Sequence, residues 1–182
     1  RRSSDLALGL ADAAKERRDN MSEKMARVVE IINRPENKDE HFLLWHDLEK
    51  EREELCRVIP GCKAVYGSQN DEEADKVISD FKDGRLKYLA AKPEMLGEGL
   101  NFQYHCHKAI MFIDYRFNDK FQAIARIYRF MQKHPVDLYL VYAESEGEIY
   151  KSFMQKWAQH KEMVAKMTGI VRENGLYGLK AD

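Results

Sequence analysis

Apolar residues follow one another along the chain in two alternating patterns, short uninterrupted runs and longer stretches with helical spacing. Each short run is apolar along most of its length, which predicts a strand that is buried on both faces. Because helical stretches separate the runs, a parallel sheet covered by helices on both faces is expected. The predicted fold class is α/β, with five strands at HFLLW (41–45), KAVY (63–66), LKYLAA (86–91), AIMFI (109–113) and VDLYLVY (136–142).

The stretches between these runs predict the helices of the α/β core. Asp47 is expected to cap a helix that ends near Val58, with Leu48, Leu55 and Val58 on its buried side. A second helix is predicted over 71–82, before Asp83-Gly84, and a third over about 119–132.

Further helical patterns lie outside the predicted sheet. They predict helices over 3–18, over about 22–33 with Ser22 as its cap, and over about 146–168. In the last of these, Ile149, Phe153 and Trp157 form an apolar stripe of the kind that usually packs on a core. The chain thus divides into a helical extension and connector (1–40), an α/β core (41–145) and a C-terminal helix and tail (146–182).

Composition limits the partners of the chain. It has 182 residues, of which 30 are basic and 31 acidic, for a net charge of −1. A near-neutral chain has no strong overall field for nucleic acid, so any such contact has to come from a local patch. No apolar run is long enough to span a bilayer, and no membrane partner is predicted.

The first residue is Arg1 instead of Met, so we expect a piece of a longer protein.

The three cysteines, Cys56, Cys62 and Cys106, are odd in number and scattered, which indicates a reducing, cytoplasmic setting. The sequence His105-Cys106-His107 invites a metal interpretation. However, alternate side chains of an extended segment diverge, and no second ligand pair follows at zinc-like spacing. No metal site is therefore predicted.

Three loops that follow predicted strands carry candidate chemistry, because ligands of open α/β sheets gather at the carboxyl ends of the strands. Gly67-Ser68 precedes a helix whose free amides could hold a phosphate. KPEMLGEGLNFQ (92–103) contains Gly97, Gly99 and Asn101, and DYRFNDKF (114–121) leads into the third helix. Taken singly, each of these loops is more typical of ordinary turn chemistry.

The third helix carries an arginine pair in QAIARIYRFMQ (122–132). At 100° per residue, Gln122, Arg126 and Arg129 share one side of the helix. The apolar side contains Phe121, Ile124, Tyr128 and Met131 and is expected to dock on the core. Two guanidinium groups would then point the same way, either as a solvated basic stripe or into a cleft.

The order of these elements resembles the second RecA-like domain of superfamily 2 helicases and translocases, in particular the Snf-type branch and its phage and prophage members. HFLLWHDLEKEREEL looks like motif IV, VYGS like element IVa, KPEMLGEGLNFQ like motif V, and FQAIARIYRFMQKHPVDLYLVY like motif VI with its following strand. The similarity covers about residues 22–168. It implies a RecA-like three-layer fold with extra terminal helices, in the cytoplasm of a bacterial or phage-infected cell.

The resemblance also implies a role for the arginine pair. Two RecA-like domains face each other across ATP, and an N-terminal domain of the same protein would hold the phosphates and Mg²⁺. Arg126 and Arg129 are then the arginine fingers, and Gln122, Gly97, Gly99 and Asn101 lie near the nucleotide. The chain contains no Walker A loop, so it is expected to be inactive alone, and Asp47 is interpreted as a helix cap instead of a magnesium ligand.

By the same resemblance, Gly67, Ser68, Lys92 and Pro93 line the path of DNA. Contacts there would go to the phosphate backbone and would be independent of sequence. Ala125 stands where close relatives often have a further arginine, and Met131 replaces the glycine of a common Arg-Phe-Gly-Gln ending.

Two other classes of function stay open. A Rossmann-like cofactor-binding enzyme would need a glycine-rich fingerprint after the first strand, where the sequence is WHDLEKE. A protein-interaction module on a degenerate motor fold would keep the arginines only as remnants. The arginine pair and the glycine loop, both present, count against that module.

Overall fold

The computed structural model describes residues 19–96, 100–114, 117–128 and 132–173, with side chains up to residue 166. Five strands lie in this part of the chain: β1 (His41–Trp45), β2 (Lys63–Val65), β3 (Tyr88–Ala91), β4 (Cys106–Phe112) and β5 (Asp137–Val141). They form one sheet in the order β2-β3-β1-β4-β5, and every pairing is parallel. The predicted α/β class and the five-stranded parallel sheet are therefore confirmed.

The sheet has an apolar core on each face, which is why its strands are apolar at consecutive positions. Successive side chains of a strand point to opposite faces. Leu43 and Trp45 of β1 therefore belong to one core, and Phe42 and Leu44 to the other. The first core also contains Leu89, Ala91, Ala109 and Met111, and the second contains Ala90, Ile110, Phe112 and Val141.

Helices cover both faces and complete three layers. Residues 19–32 form helix α1, and the other helices are α2 (Glu49–Val58), α3 (Asp71–Lys82), α4 (Phe117–Ile124) and α5 (Gly147–Glu173). Helices α1 and α2 pack on the second core, through residues such as Val28 and Leu55. Helices α3, α4 and α5 pack on the first core, through residues such as Phe81, Ala123 and Trp157.

The start of α2 differs from the prediction, since Asp47 does not cap it. The helix begins at Glu49, and the carboxylate of Glu51 accepts hydrogen bonds from the backbone N–H groups of Asp47 (2.9 Å) and Leu48 (3.0 Å). Glu51 reaches back over the helix end and is itself buried, so the Asp47 side chain is available elsewhere. Leu48, predicted to be buried, is 59% exposed because it lies before the helix.

The first described helix also starts earlier than predicted. Residues 19–32 are helical, so Ser22 lies inside α1 and cannot be its cap. Met25, Val28 and Ile32 are buried at the predicted helical spacing. The helix predicted over 3–18 lies outside the described residues.

Helix α4 is shorter than predicted, and its buried side is the predicted one only in part. It ends at Ile124, and the backbone N–H groups of Arg126 and Ile127 donate to Ala123 and Ile124 in tighter turns. Ile124 and Ile127 are buried, whereas Tyr128, predicted to face the core, is 74% exposed. The prediction was wrong here because it continued a regular helix past residue 124. Met131 lies outside the described residues.

Helix α5 packs through its predicted apolar stripe. Phe153 is buried, and Ile149 and Trp157 are half-buried. The rings of Phe153 and Trp157 stack with centroids 6.3 Å apart, and Phe117 of α4 meets Phe153 edge-on. The stripe thus joins α5 to α4. In the described part of the chain, no helix is both long and apolar enough to cross a membrane.

Candidate functional site

A buried group of charges lies at the carboxyl edge of the sheet. Lys120 of α4 is fully buried, and its ammonium pairs with the carboxylate of Asp47, which follows β1. The same nitrogen lies 3.9 Å from the carboxylate of Asp114, which follows β4. One cation therefore holds the start of α4 against the ends of the two strands at the centre of the sheet.

The sequence contains a signal for this cluster of charges, although the apolar pattern that predicted the helix does not include it. Lys120 stands three and four positions before Ala123 and Ile124, which are both buried, so helical spacing places all three on the same side. A lysine on a buried side requires an acidic partner. The partner Asp47 is 73 residues away along the chain, so only the folded chain identifies it.

The residues that flank the glycine loop and Arg126 lie on the same face of the sheet. Leu96 and Phe102, on either side of the loop, are buried in the first core. Ile124 and Ile127, on either side of Arg126, are buried in that same core. The helical turn at Pro93–Met95, which opens the loop, also contacts α4. Segments that are separate in the sequence are thus brought together.

The residues predicted to lie near the nucleotide differ from one another in their surroundings. Gln122 is exposed on α4, and Arg126 is half-buried in the turn after α4. Asn101 is half-buried at the end of the glycine loop. Three further predicted residues, Gly97, Gly99 and Arg129, lie outside the described residues.

The residues predicted to contact nucleic acid come from two adjacent loops. Gly67 and Ser68 are exposed in the turn after β2, and a Cβ on Gly67 would lie 3.9 Å from the sulfur of Met95. The Lys92 ammonium, after β3, lies 3.0 Å from the carboxylate of Glu49, and this contact lowers the pKa of Glu49. Pro93 is buried, which leaves little of it for a ligand to contact.

Arg52 adds a basic group that the sequence pattern does not single out. Its guanidinium lies 4.0 Å from the ring centroid of Tyr66, directly before Gly67. It also lies 3.2 Å from the carboxylate of Glu49. Arg52 and Lys92 therefore share an acidic neighbour beside the two loops.

A buried histidine follows β1 at the same edge. His46 is fully buried, and neither ring nitrogen makes a hydrogen bond of ordinary geometry with a described residue. Loss of solvation disfavours the charged ring and lowers its pKa to about 4. The nearby Lys92 and Arg52 also lower the pKa, and Glu49 opposes them. The imidazole is therefore neutral in the folded chain at neutral pH.

This burial predicts a dependence of stability on pH. The unfolded chain, with a histidine pKa of 6.5, binds this proton more readily than the folded chain does. The contribution of His46 is thus complete above about pH 6.5 and decreases as the pH falls toward 4. Urea denaturation should show wild type losing about 2 kcal/mol more than His46→Phe between about pH 6.5 and 5. Equal losses would contradict a buried neutral ring.

Comparison with known proteins identifies the fold. No protein-family model and no curated protein matches the chain. The C-terminal part of the Fun30 ATPase domain matches with a TM-score of 0.61 and 17% identity, over 71% of this chain and 44% of that one. The chain has the RecA-like fold.

Two structures of an S. cerevisiae Dbp5 variant bound to a Gle1 variant and IP6 share this fold. The first matches with a TM-score of 0.59 and 16% identity, over 81% of this chain and 43% of that one. The second is of the C-terminal domain and matches with a TM-score of 0.60 and 14% identity, over 76% of this chain and 80% of that one. The chain spans less than half the length of the Fun30 chain and of the first Dbp5 chain.

Proposed function

We propose that this chain is the second motor domain of an ATP-dependent DNA helicase or translocase of the Snf type, of phage or prophage kind. The observation that carries the proposal is the common burial of Leu96, Phe102, Ile124 and Ile127. These residues flank the glycine loop and Arg126, and their shared core supports a nucleotide interface built from both segments. The likeness to the Fun30 and Dbp5 C-terminal domains supports the same interpretation.

In this proposal the arginines act on ATP that an N-terminal RecA-like domain holds with Mg²⁺. Transfer of the γ-phosphoryl group spreads negative charge over its oxygens. Arg126 and Arg129 neutralise that charge, since arginine stays ionised and its planar fork can engage two oxygens at once. Gln122, Gly97, Gly99 and Asn101 contribute further contacts near the nucleotide.

The surroundings of Asp47 fit a magnesium site outside this chain. A carboxylate that binds Mg²⁺ has to present its oxygens to the metal and its waters. The Asp47 carboxylate is instead paired with the buried ammonium of Lys120.

The first turn of α2 carries Glu49 and Glu51, whose charges would repel a dinucleotide phosphate. A Rossmann-like site after β1 is therefore not supported.

The test of this proposal compares two proteins from the same gene. The 182-residue chain, highly purified, should not hydrolyse ATP above background, because it lacks the phosphate loop. A longer protein that includes the preceding coding sequence should hydrolyse ATP, and DNA should stimulate it. Robust hydrolysis by the short chain, abolished by a substitution within it, would refute the assignment.

The two loops after β2 and β3 provide a path for the DNA backbone. Gly67 and Ser68 are exposed there, and Lys92 and Arg52 supply positive charge. The recognition would be independent of sequence, since phosphate contacts carry no base information. Binding by this chain alone should be weak and steeply salt-dependent, because few basic groups converge.

Substitution of Lys92 tests this path. Lys92→Ala should lower the slope of log affinity against log salt by about 0.9, the value for one lost phosphate contact on duplex DNA. Lys50→Ala, on the exposed side of α2, is the matched control and should leave the slope unchanged. Titrations on two unrelated duplexes complete the experiment. An unchanged slope for Lys92→Ala, or a strong preference for one duplex, would count against a backbone contact.

A further inference from the structure

Two cysteines meet where α2 turns into β2. Cys56 lies in the last turn of α2 and is exposed, whereas Cys62 lies just before β2 and is buried. Their sulfur atoms are 3.8 Å apart. The intervening turn brings them together through Gly61, whose φ of +78° favours glycine, and through a hydrogen bond from the Cys62 N–H to the Ile59 carbonyl.

The exposed member of the pair faces a small open cavity. The cavity has a volume of about 310 Å³, and its lining includes both cysteines together with Arg52, Lys63, Tyr66 and Gln69. Such a volume admits a small oxidant directly to the Cys56 sulfur. Lys63 and Arg52 supply positive charge on the same side, which favours the thiolate form of a cysteine.

The contact between the two sulfurs assigns them different roles. The hydrogen-bonding contact with the Cys62 sulfur, helped by Arg52 and Lys63, lowers the pKa of Cys56 to about 7, against the opposing effect of its burial. The contact with Cys56 and the burial of its own sulfur both raise the pKa of Cys62. Cys56 is thus the accessible nucleophile at neutral pH, and Cys62 is the protonated neighbour behind it.

We propose that Cys56 and Cys62 form a dithiol that a small hydroperoxide oxidises to a disulfide. The Cys56 thiolate attacks one peroxide oxygen, the O–O bond breaks, and the departing hydroxide or alkoxide takes a proton. The resulting Cys56 sulfenic acid is attacked by the Cys62 sulfur, whose proton leaves with the hydroxyl group as water. The peroxide is reduced by two electrons, and the two thiols are oxidised by the same two. This proposal is independent of the motor function.

Cys106 provides a matched control within the same chain. It is fully buried in the first core, and its sulfur lies 3.2 Å from the Lys108 carbonyl oxygen. Burial raises the pKa of Cys106 to about 12. Its thiol should therefore react with neither peroxide nor alkylating reagents while the chain is folded.

Peptide mapping tests the proposal directly. Trypsin cuts after Arg52, Arg57 and Lys63, so the two cysteines fall in the separate peptides EELCR and VIPGCK. After treatment of the folded chain with hydrogen peroxide, these peptides should appear joined, with the mass of two hydrogens lost. Cys56→Ser should abolish the joined species. Cys62→Ser should leave a sulfenic acid on Cys56 that dimedone traps.

Alkylation rates show whether the folded environment makes Cys56 more reactive than Cys106. At pH 7, iodoacetamide should modify Cys56 more than about a hundredfold faster than Cys106 in the folded chain. In concentrated urea the two rates should become similar. Peptides that stay separate after peroxide treatment, or a disulfide that involves Cys106, would overturn the proposal. Equal alkylation rates of Cys56 and Cys106 in the folded chain would overturn it as well.

Discussion

Arg126→Ala, made in the complete ATPase that we propose, should slow ATP hydrolysis by on the order of a thousandfold, with a much smaller change in ATP affinity. The reason is the timing of the contact. An arginine that meets the γ-phosphate only when two domains close stabilises the transition state more than bound ATP. The same result is expected for Arg129→Ala. Steady-state rates with saturating DNA, together with a nucleotide-binding titration, measure both quantities.

Two further variants separate this role from a general loss of positive charge. Arg126→Lys should recover little activity, since an ammonium cannot reproduce the planar fork. Arg85→Ala is the matched control, because Arg85 is an exposed arginine paired with Asp80 and Asp83 on the surface, and it should hydrolyse ATP normally. If Arg126→Ala and Arg129→Ala both hydrolyse ATP at the wild-type rate, the arginines form a solvated stripe and the proposed function fails.

Lys120→Met should destabilise the chain by about 3–5 kcal/mol, the usual cost of removing one partner of a buried ion pair. Lys120 is fully buried between Asp47 and Asp114. Its removal takes away the buried ammonium that both carboxylates face at the edge of the sheet. Chemical denaturation at pH 7 measures the loss as a change in the free energy of unfolding.

Two controls show that the cost comes from the loss of this buried ion pair. Lys151→Met removes a fully exposed lysine that pairs with Glu148 and should leave stability unchanged. The double variant Lys120→Met/Asp47→Asn should be more stable than Lys120→Met, since the buried carboxylate that lost this ammonium is then replaced by a neutral amide. A loss in Lys120→Met no larger than in Lys151→Met would mean that the ammonium is solvated.

The same buried lysine belongs to a helix, α4, whose buried side was predicted only in part. The apolar periodicity was extended to Tyr128 and Met131, as if the helix continued to residue 132. In the folded chain α4 ends at Ile124, and its buried side runs through Lys120, Ala123 and Ile124 to Ile127 in the following turn. A pattern that counts only apolar residues cannot include a lysine whose charge is compensated by distant residues.

The candidate site was predicted from the sequence as a set of residues, and the fold added their arrangement. The glycine loop and the arginine segment are visible as local patterns, but their proposed roles come from the order of the elements and the family that this order resembles. Their flanking residues Leu96, Phe102 and Ile127 are buried in one core, which depends on the folding together of distant parts of the sequence. Lys92 was predicted as a basic contact, whereas its pairing with Glu49 appears only once α2 and the loop after β3 are adjacent.

The sequence by itself determined the five-stranded sheet and its burial. Strands such as β1 are apolar at consecutive positions, and a strand of that kind is stable only with a core on each face. The tertiary structure alone decided where the charges go. Asp47 pairs with Lys120, 73 residues away, and Lys92 of the loop after β3 pairs with Glu49 of α2. The physical reason is the sequence distance between the groups that interact. Apolar burial follows from a residue and its near neighbours. A buried polar group is stable only with a partner that the folded chain supplies.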